Sequence, residues 1–93
     1  MKVTITSFER LAYDANGNVL PIGDGLLQGQ KLTGAGNATA LTTGTNFIRV
    51  ATDTAIHIKP HGTGAADTDP MMPANSVEFF NAKSGMTPSI ITA

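Results

Sequence analysis

A chain of 93 residues with net charge −1 and no cysteine is bounded to a single domain with one modest core, held without disulfides or thiolate metal sites. Its six Lys and Arg residues are scattered singly rather than gathered in the basic stripe that nucleic-acid binding needs. No stretch approaches the ~18 apolar residues of a membrane span, and the opening Met1 to Thr6 lacks the apolar run of a signal peptide, so synthesis in the cytoplasm is expected.

Val3 and Ile5 alternate with Thr4 and Thr6 in a first strand that reaches Phe8, and a second follows over residues 11–13. Asp14 to Asn18 is a turn cluster in which Gly17 is free to take positive φ. Residues 19–22 return as a strand, and Pro21 restricts it to an edge or an end. Gly23-Asp24-Gly25 breaks the chain; no further acid follows at calcium-loop spacing, so it reads as a plain turn. Residues 26–33 form a strand weakened by Gly29. Gly34 and Gly36 lack the third glycine and the helix of a dinucleotide fingerprint, and 38–42 is a short strand.

The clearest signal runs from Phe47 to Lys59. Ile48 and Val50 share one face of the first half, Ile56 and Ile58 share one face of the second, and Thr52-Asp53-Thr54 separates them, the pattern of a β-hairpin with one buried side. Residues 60–75 are irregular and rich in Gly, Asp and Pro. Residues 76–80 and 89–92 are the closing strands, and no stretch shows a helical period. The expected fold is all-β: a small single-domain sandwich or barrel of about eight short antiparallel strands, spanning 1–93. Its expected core is Val3, Ile5, Phe47 or Ile48, Val50, Ile56, Ile58, Val77, Phe79 and Ile90.

Catalytic and ligand-binding patterns are not found. His57 and His61 are spaced as on a zinc-peptidase helix, but Pro60 lies between them and no Glu follows at the general-base position. Asp67 and Asp69 sit in a Gly-rich loop and read as solvated acids. Ser7, Ser76, Ser84 and Ser89 carry no nucleophile motif. No catalytic, cofactor-binding or metal-binding residue is assigned, no cofactor is expected, and an enzyme is not.

Two features point to contact with other protein instead. Charged residues are 14% of the chain, against roughly 25% in ordinary soluble proteins, and Thr, Ala and Gly take their place, a surface that suits protein contact but that also follows from the preference of β-rich chains for Thr. Phe79 and Phe80 are adjacent on one strand and so face opposite ways. With Phe79 in the core, Phe80 is buried only if something covers the second face: a second sheet, a loop or a partner subunit. The loop centre Pro70-Met71-Met72-Pro73 joins Phe80 as a candidate contact, since methionine adapts to irregular surfaces and flanking prolines lower the entropy lost on docking; the alternative is that Met71 or Met72 caps the end of the sandwich, since methionine also fills gaps in cores.

The order of segments in residues 47–92 carries a resemblance: Phe-Ile-Arg-Val-Ala-Thr-Asp-Thr-Ala-Ile-His-Ile, a Gly/Ala/Asp-rich loop, Met-Met-Pro-Ala-Asn-Ser-Val-Glu-Phe-Phe, then Lys-Ser-Gly ahead of Ile-Ile-Thr. It resembles small β proteins encoded in the structural gene clusters of tailed bacteriophages, some of them capsid decoration, or cement, proteins. The resemblance implies a virion structural protein on the capsid surface. Its partner would be the major capsid protein and its form a homo-oligomer, a trimer at a three-fold axis, with neither nucleic acid nor membrane as a partner. The alternative within that resemblance is a neck, tail or fibre-associated domain, with host carbohydrate as the ligand such a domain would take.

Overall fold

A computed structural model describes the backbone of residues 1–13 and 15–93, and their side chains except at 11–13 and 19–24. Asp14 of the expected turn and the side chain of Asp24 lie outside the described residues. Eight antiparallel strands form two sheets: β1 Val3–Tyr13, β2 Val19–Leu32, β3 Gly36–Asn37, β4 Phe47–Thr52, β5 Ile56–Lys59, β6 Met71–Met72, β7 Ser76–Asn81 and β8 Ser89–Thr92. Sheet A has the order β2-β1-β4-β7 and sheet B the order β3-β8-β5-β6. No helix occurs among the described residues.

The alternation of β-branched residues does what period two requires. Along β4 every second residue is buried, Ile48, Val50 and Thr52, and β1 contributes Val3, Ile5 and Ser7 to the same side. Sheet B answers with Ile56, Ile58, Met72 and Ile90, and all the apolar members of these two sets belong to one buried cluster. The two sheets thus face each other as a sandwich over a single core.

Strands β4 and β5 are both present, but they do not pair with each other. β4 lies between β1 and β7 in sheet A, whereas β5 lies between β8 and β6 in sheet B. The Thr52–Ala55 segment is therefore an arch that carries the chain from one sheet to the other, not the turn of a hairpin. Hairpin and arch share one alternation, because both bring Ile48, Val50, Ile56 and Ile58 to the core. The link decides between them. Thr52 Oγ1 donates to the Thr54 carbonyl at 2.6 Å, and the Asp53 side chain accepts the Lys2 backbone N–H at 2.7 Å, which anchors the corner to the start of β1. The link also lacks the Gly and Asn that two-residue hairpins favour.

Three further expectations are corrected. Residues 3–13 and 19–32 are each one continuous strand rather than two, and Pro21 is accommodated because β2 is an edge strand. Residues 38–42 form no strand. They plug an open end of the sandwich, with Ala38 and Leu41 buried and their N–H groups donating to Pro88 and Met86 carbonyls. Val77 and Phe79 lie outside the core. Strand β7 pairs Ile48 with Phe80 and Arg49 with Phe79, so Phe80 faces inward and Phe79 and Val77 face out.

The first hairpin outruns the sandwich. β1 pairs with β4 only from Val3 to Phe8, while its pairing with β2 continues to Tyr13↔Val19. Asn46 marks the point of exit, its backbone N–H donating to the Phe8 carbonyl and its Nδ2 to that of Glu9. Beyond it a two-stranded arm projects, and an 11-residue strand rising about 3.3 Å per residue accounts for most of a long axis of 41 Å against 26 and 21 Å for the others.

Candidate functional site

The outer faces of the two sheets differ. Sheet B is covered by its own chain. Ser89, on the outward side of β8, is buried because the 60–66 segment folds over it: its Oγ donates to the Gly62 carbonyl at 2.7 Å and accepts the Ala65 N–H at 3.0 Å. Asp69 closes the same loop, with Oδ2 accepting the Ala66 N–H and its carbonyl 2.9 Å from His57 Nδ1. His61 Nε2 bonds the Asn81 carbonyl. The two histidines and Asp69 thus serve to pin a loop. No group of three His, Asp or Glu side chains able to hold a metal occurs among the described residues.

Sheet A has no such cover. Strands β1 and β4 direct Phe8 and Phe47 outward as a register pair, and β7 adds Phe79 on the diagonal. Phe8 and Phe47 stack at 5.4 Å with an interplanar angle of 14°, and Phe47 meets Phe79 at 5.8 Å and 53°, spacings at which aromatic pairs attract. Leu26 on β2, opposite Phe8, and Val77 on β7 extend the row at its two ends, 68% and 47% exposed; Phe79 is 39% exposed. An apolar band therefore crosses all four strands of this face.

Its polar surroundings are one-sided. Arg49 lies between Thr6 and Phe79 across the sheet, and Lys31 lies opposite Thr4 at the β2 edge. Neither has an ion-pair partner among the described residues, where Glu9–Arg10 on the arm is the only bridge. Over the stretch where β1 pairs with β4, no Asp or Glu alternates onto this face; beyond it, at the root of the arm, Arg10 and Asp24 are a register pair on the side of Phe8 and Leu26. Glu78 is on β7 but pairs with Val50, and so points to the other side.

The contact residues expected from sequence fall in two different places. Pro70, Met71 and Pro73 are exposed at the β6 edge of sheet B, with Met71 55% exposed. Met72 is fully buried opposite Ile56 and is part of the core, not a surface contact. Phe80 is half-buried and packs against the core. The exposed partner in the Phe79–Phe80 pair is Phe79. Reading Phe8, Phe47 and Phe79 as one row needed the register of three strands, which adjacency in sequence does not supply.

No pocket opens among the described residues. The described serine hydroxyls that bond do so to backbone: Ser7 to Gln28, Ser76 to Pro73 and Ser89 to Gly62. What the molecule presents is an apolar band with two cations beside it. The chain matches no protein-family model, no curated protein and no solved structure.

Proposed function

We propose that this chain is a structural protein of a tailed-phage virion, a decoration protein that seats on the outer surface of the major capsid protein lattice and stabilises the head. The observation that carries the proposal is the bare outer face of sheet A, whose Phe8–Phe47–Phe79 row ends in exposed Leu26 and Val77. Contiguous apolar surface of this kind marks a place where something else docks. The resemblance of residues 47–92 to phage virion proteins supplies the class of assembly, and the low charge of the chain supports it, since few ions need desolvating when the surface is covered. Repetition by icosahedral symmetry lets many modest contacts hold a shell that no single one would.

In this reading neighbouring copies join as a trimer about a three-fold axis, and the β1–β2 arm is the element that reaches them. Beyond Glu9 the arm is two strands wide, and an isolated two-stranded ribbon is marginally stable in water, so packing on a neighbour stabilises it. The test is to add the purified protein to expanded heads assembled without it and to image them. Density at every equivalent lattice position, in hundreds of copies, is the expected result. A few copies confined to the neck or tail would replace this reading with that of a tail-associated domain, and no occupancy would remove the chain from the virion.

A further inference from the structure

The apolar row and the two cations beside it restrict what can cover sheet A. We infer that the outer face of sheet A receives a protein surface that is apolar at its centre and acidic at its border. The inference deepens the capsid reading and rests on it only for the partner's identity, not for its chemistry.

Charge decides the border. Over the stretch where β1 pairs with β4, Arg49 and Lys31 are the charged groups on the face, and they lack carboxylate partners among the described residues; the next register pair on that side, Arg10 and Asp24, carries one charge of each sign. Of the acids with described side chains, Asp53 is in the arch, Asp67 and Asp69 in the loop over sheet B, Glu78 on the opposite side of β7 and Glu9 on the arm; Asp24 stands in register with Arg10 at the root of the arm, away from Arg49 and Lys31. A partner bringing carboxylates to Arg49 and Lys31 gains two charge-assisted contacts around a desolvated centre, the arrangement of an interface hot spot. A second copy applied face to face would set these cations against their own equivalents about a two-fold axis, and like charges in a closing interface are costly.

Ring geometry decides the centre. Single-stranded nucleic acid and sugars use open aromatic faces as stacking platforms. Here Phe8 and Phe47 stack on each other, which spends one face of each ring within the row, and Phe47 meets Phe79 in a tilted contact. The aliphatic ends Leu26 and Val77 stand exposed beside them. Such a ridge fits an apolar protein groove.

The sheet edges offer no alternative route. β3 and β6 are two residues long, β2 carries Pro21 and irregular register at Ser7/Phe8 and Leu11/Tyr13, and β7 holds an inward-side charge at Glu78. These are the devices that block strand addition. Contact is left to the face.

The test has two arms. In the first, backbone amide shifts of the free protein are mapped with a peptide of alternating Leu and Glu, its Leu/Lys counterpart, and a short oligothymidylate. Shifts clustered at 47–49 and 77–79 with the acidic peptide, and at least tenfold weaker binding of the basic one, are expected. No shifts at this face, equal binding of both peptides, or tighter binding of the oligonucleotide overturns the inference whatever the capsid result. In the second, wild type, Phe79→Ser, Val77→Ser and Arg49→Glu are compared for occupancy of expanded heads, with folding checked by circular dichroism and Met71→Ser as a control on the other sheet. Loss of occupancy by tenfold or more in the folded face variants, and not in the control, is expected. Full occupancy by folded face variants overturns the inference and leaves the capsid proposal standing; no occupancy by wild type overturns the capsid proposal and leaves the peptide arm to decide the chemistry. Concentration-dependent dimers abolished by Phe79→Ser would assign the face to a second copy instead.

Discussion

Adjacent phenylalanines on opposite faces of β7 allow one experiment to test the sandwich from both sides. Phe80 is half-buried against the core cluster and pairs with Ile48, whereas Phe79 lies outside and touches Phe47. Complete removal of a core Phe costs about 3–5 kcal/mol; with part of the ring already in water, Phe80→Ala should cost about 2–3 kcal/mol. Phe79→Ala loses one tilted ring contact, worth about 0.5–1.5 kcal/mol, and little else. The gap of about 1–2 kcal/mol corresponds to roughly 5–15 °C in melting temperature for a domain this size. Urea unfolding of the two variants, with the slope against denaturant checked for constancy, measures it directly. If Phe79→Ala proves as costly as Phe80→Ala, the register of β7 against β4 is displaced by one residue. The exposed aromatic row would then not exist, since such a slip exchanges the two faces of a strand.

Other parts of the fold give separate outcomes. Ile56→Ala or Ile58→Ala, each removing a fully buried side chain of β5, should destabilise by about 2–5 kcal/mol in the same assay. Met72→Ser should cost about as much, while Met71→Ser, beside it but more than half exposed, should stay within about 0.5 kcal/mol. Gly25→Ala should destabilise by more than about 1 kcal/mol, because Gly25 has φ +68° and a Cβ there would lie 2.9 Å from Glu9 Cβ; a neutral result would contradict the geometry at the root of the arm. The Asp53 carboxyl is held below its ordinary range by the Lys2 N–H, with help from the Thr54 hydroxyl. A lowered folded value means a contribution present above the unfolded carboxyl value and lost as pH falls through the folded one. Asp53→Asn should therefore flatten the acid side of the stability–pH curve, read from urea midpoints at neutral and strongly acidic pH.

Period two was legible on β1, β4, β5 and β8. Val3, Ile5, Ile48, Val50, Ile56, Ile58 and Ile90 are all buried as their alternation predicts, because a strand with one wet side cannot hide its pattern. Alternation does not tell which strands pair. The Thr52–Ala55 link reads alike as a hairpin turn and as an arch, and the arch forms because β1 and β7 flank β4 while β8 and β6 flank β5. Those partners are distant in sequence. Parity failed on β7 for a related reason. The series Val77, Phe79 competes with Glu78, Phe80, and hydrophobicity favours the first, yet the edge position of β7 lets Glu78 stay exposed on the core side while Phe80 is covered. Contact and end cap stayed open for Met71 and Met72 because a two-residue strand has no period to read; the structure assigns Met72 to the core.

The same edge position that hides β7's parity also shapes how the molecule can assemble. A β domain with a bare apolar face risks open-ended growth if its strand edges are available too. Here the two liabilities are separated. Glu78 turns toward the core side of one edge of sheet A, Pro21 and irregular pairing with β1 interrupt the other, and sheet B ends in strands of two residues each. Edge-to-edge addition, the route to fibres, is obstructed on every side, while the Phe8–Phe47–Phe79 face stays open. In the proposed reading association is confined to one face and one arm, contacts that a closed symmetric shell can satisfy and that a filament of stacked sheets cannot use. A Glu78→Val variant, apolar on that edge, should remain folded yet acquire concentration-dependent aggregation that binds an amyloid dye, followed by light scattering. Should it stay as dispersed as wild type, the charge at Glu78 is not what guards the edge, and the remaining irregularities of β2 and the brevity of β3 and β6 must carry that task alone.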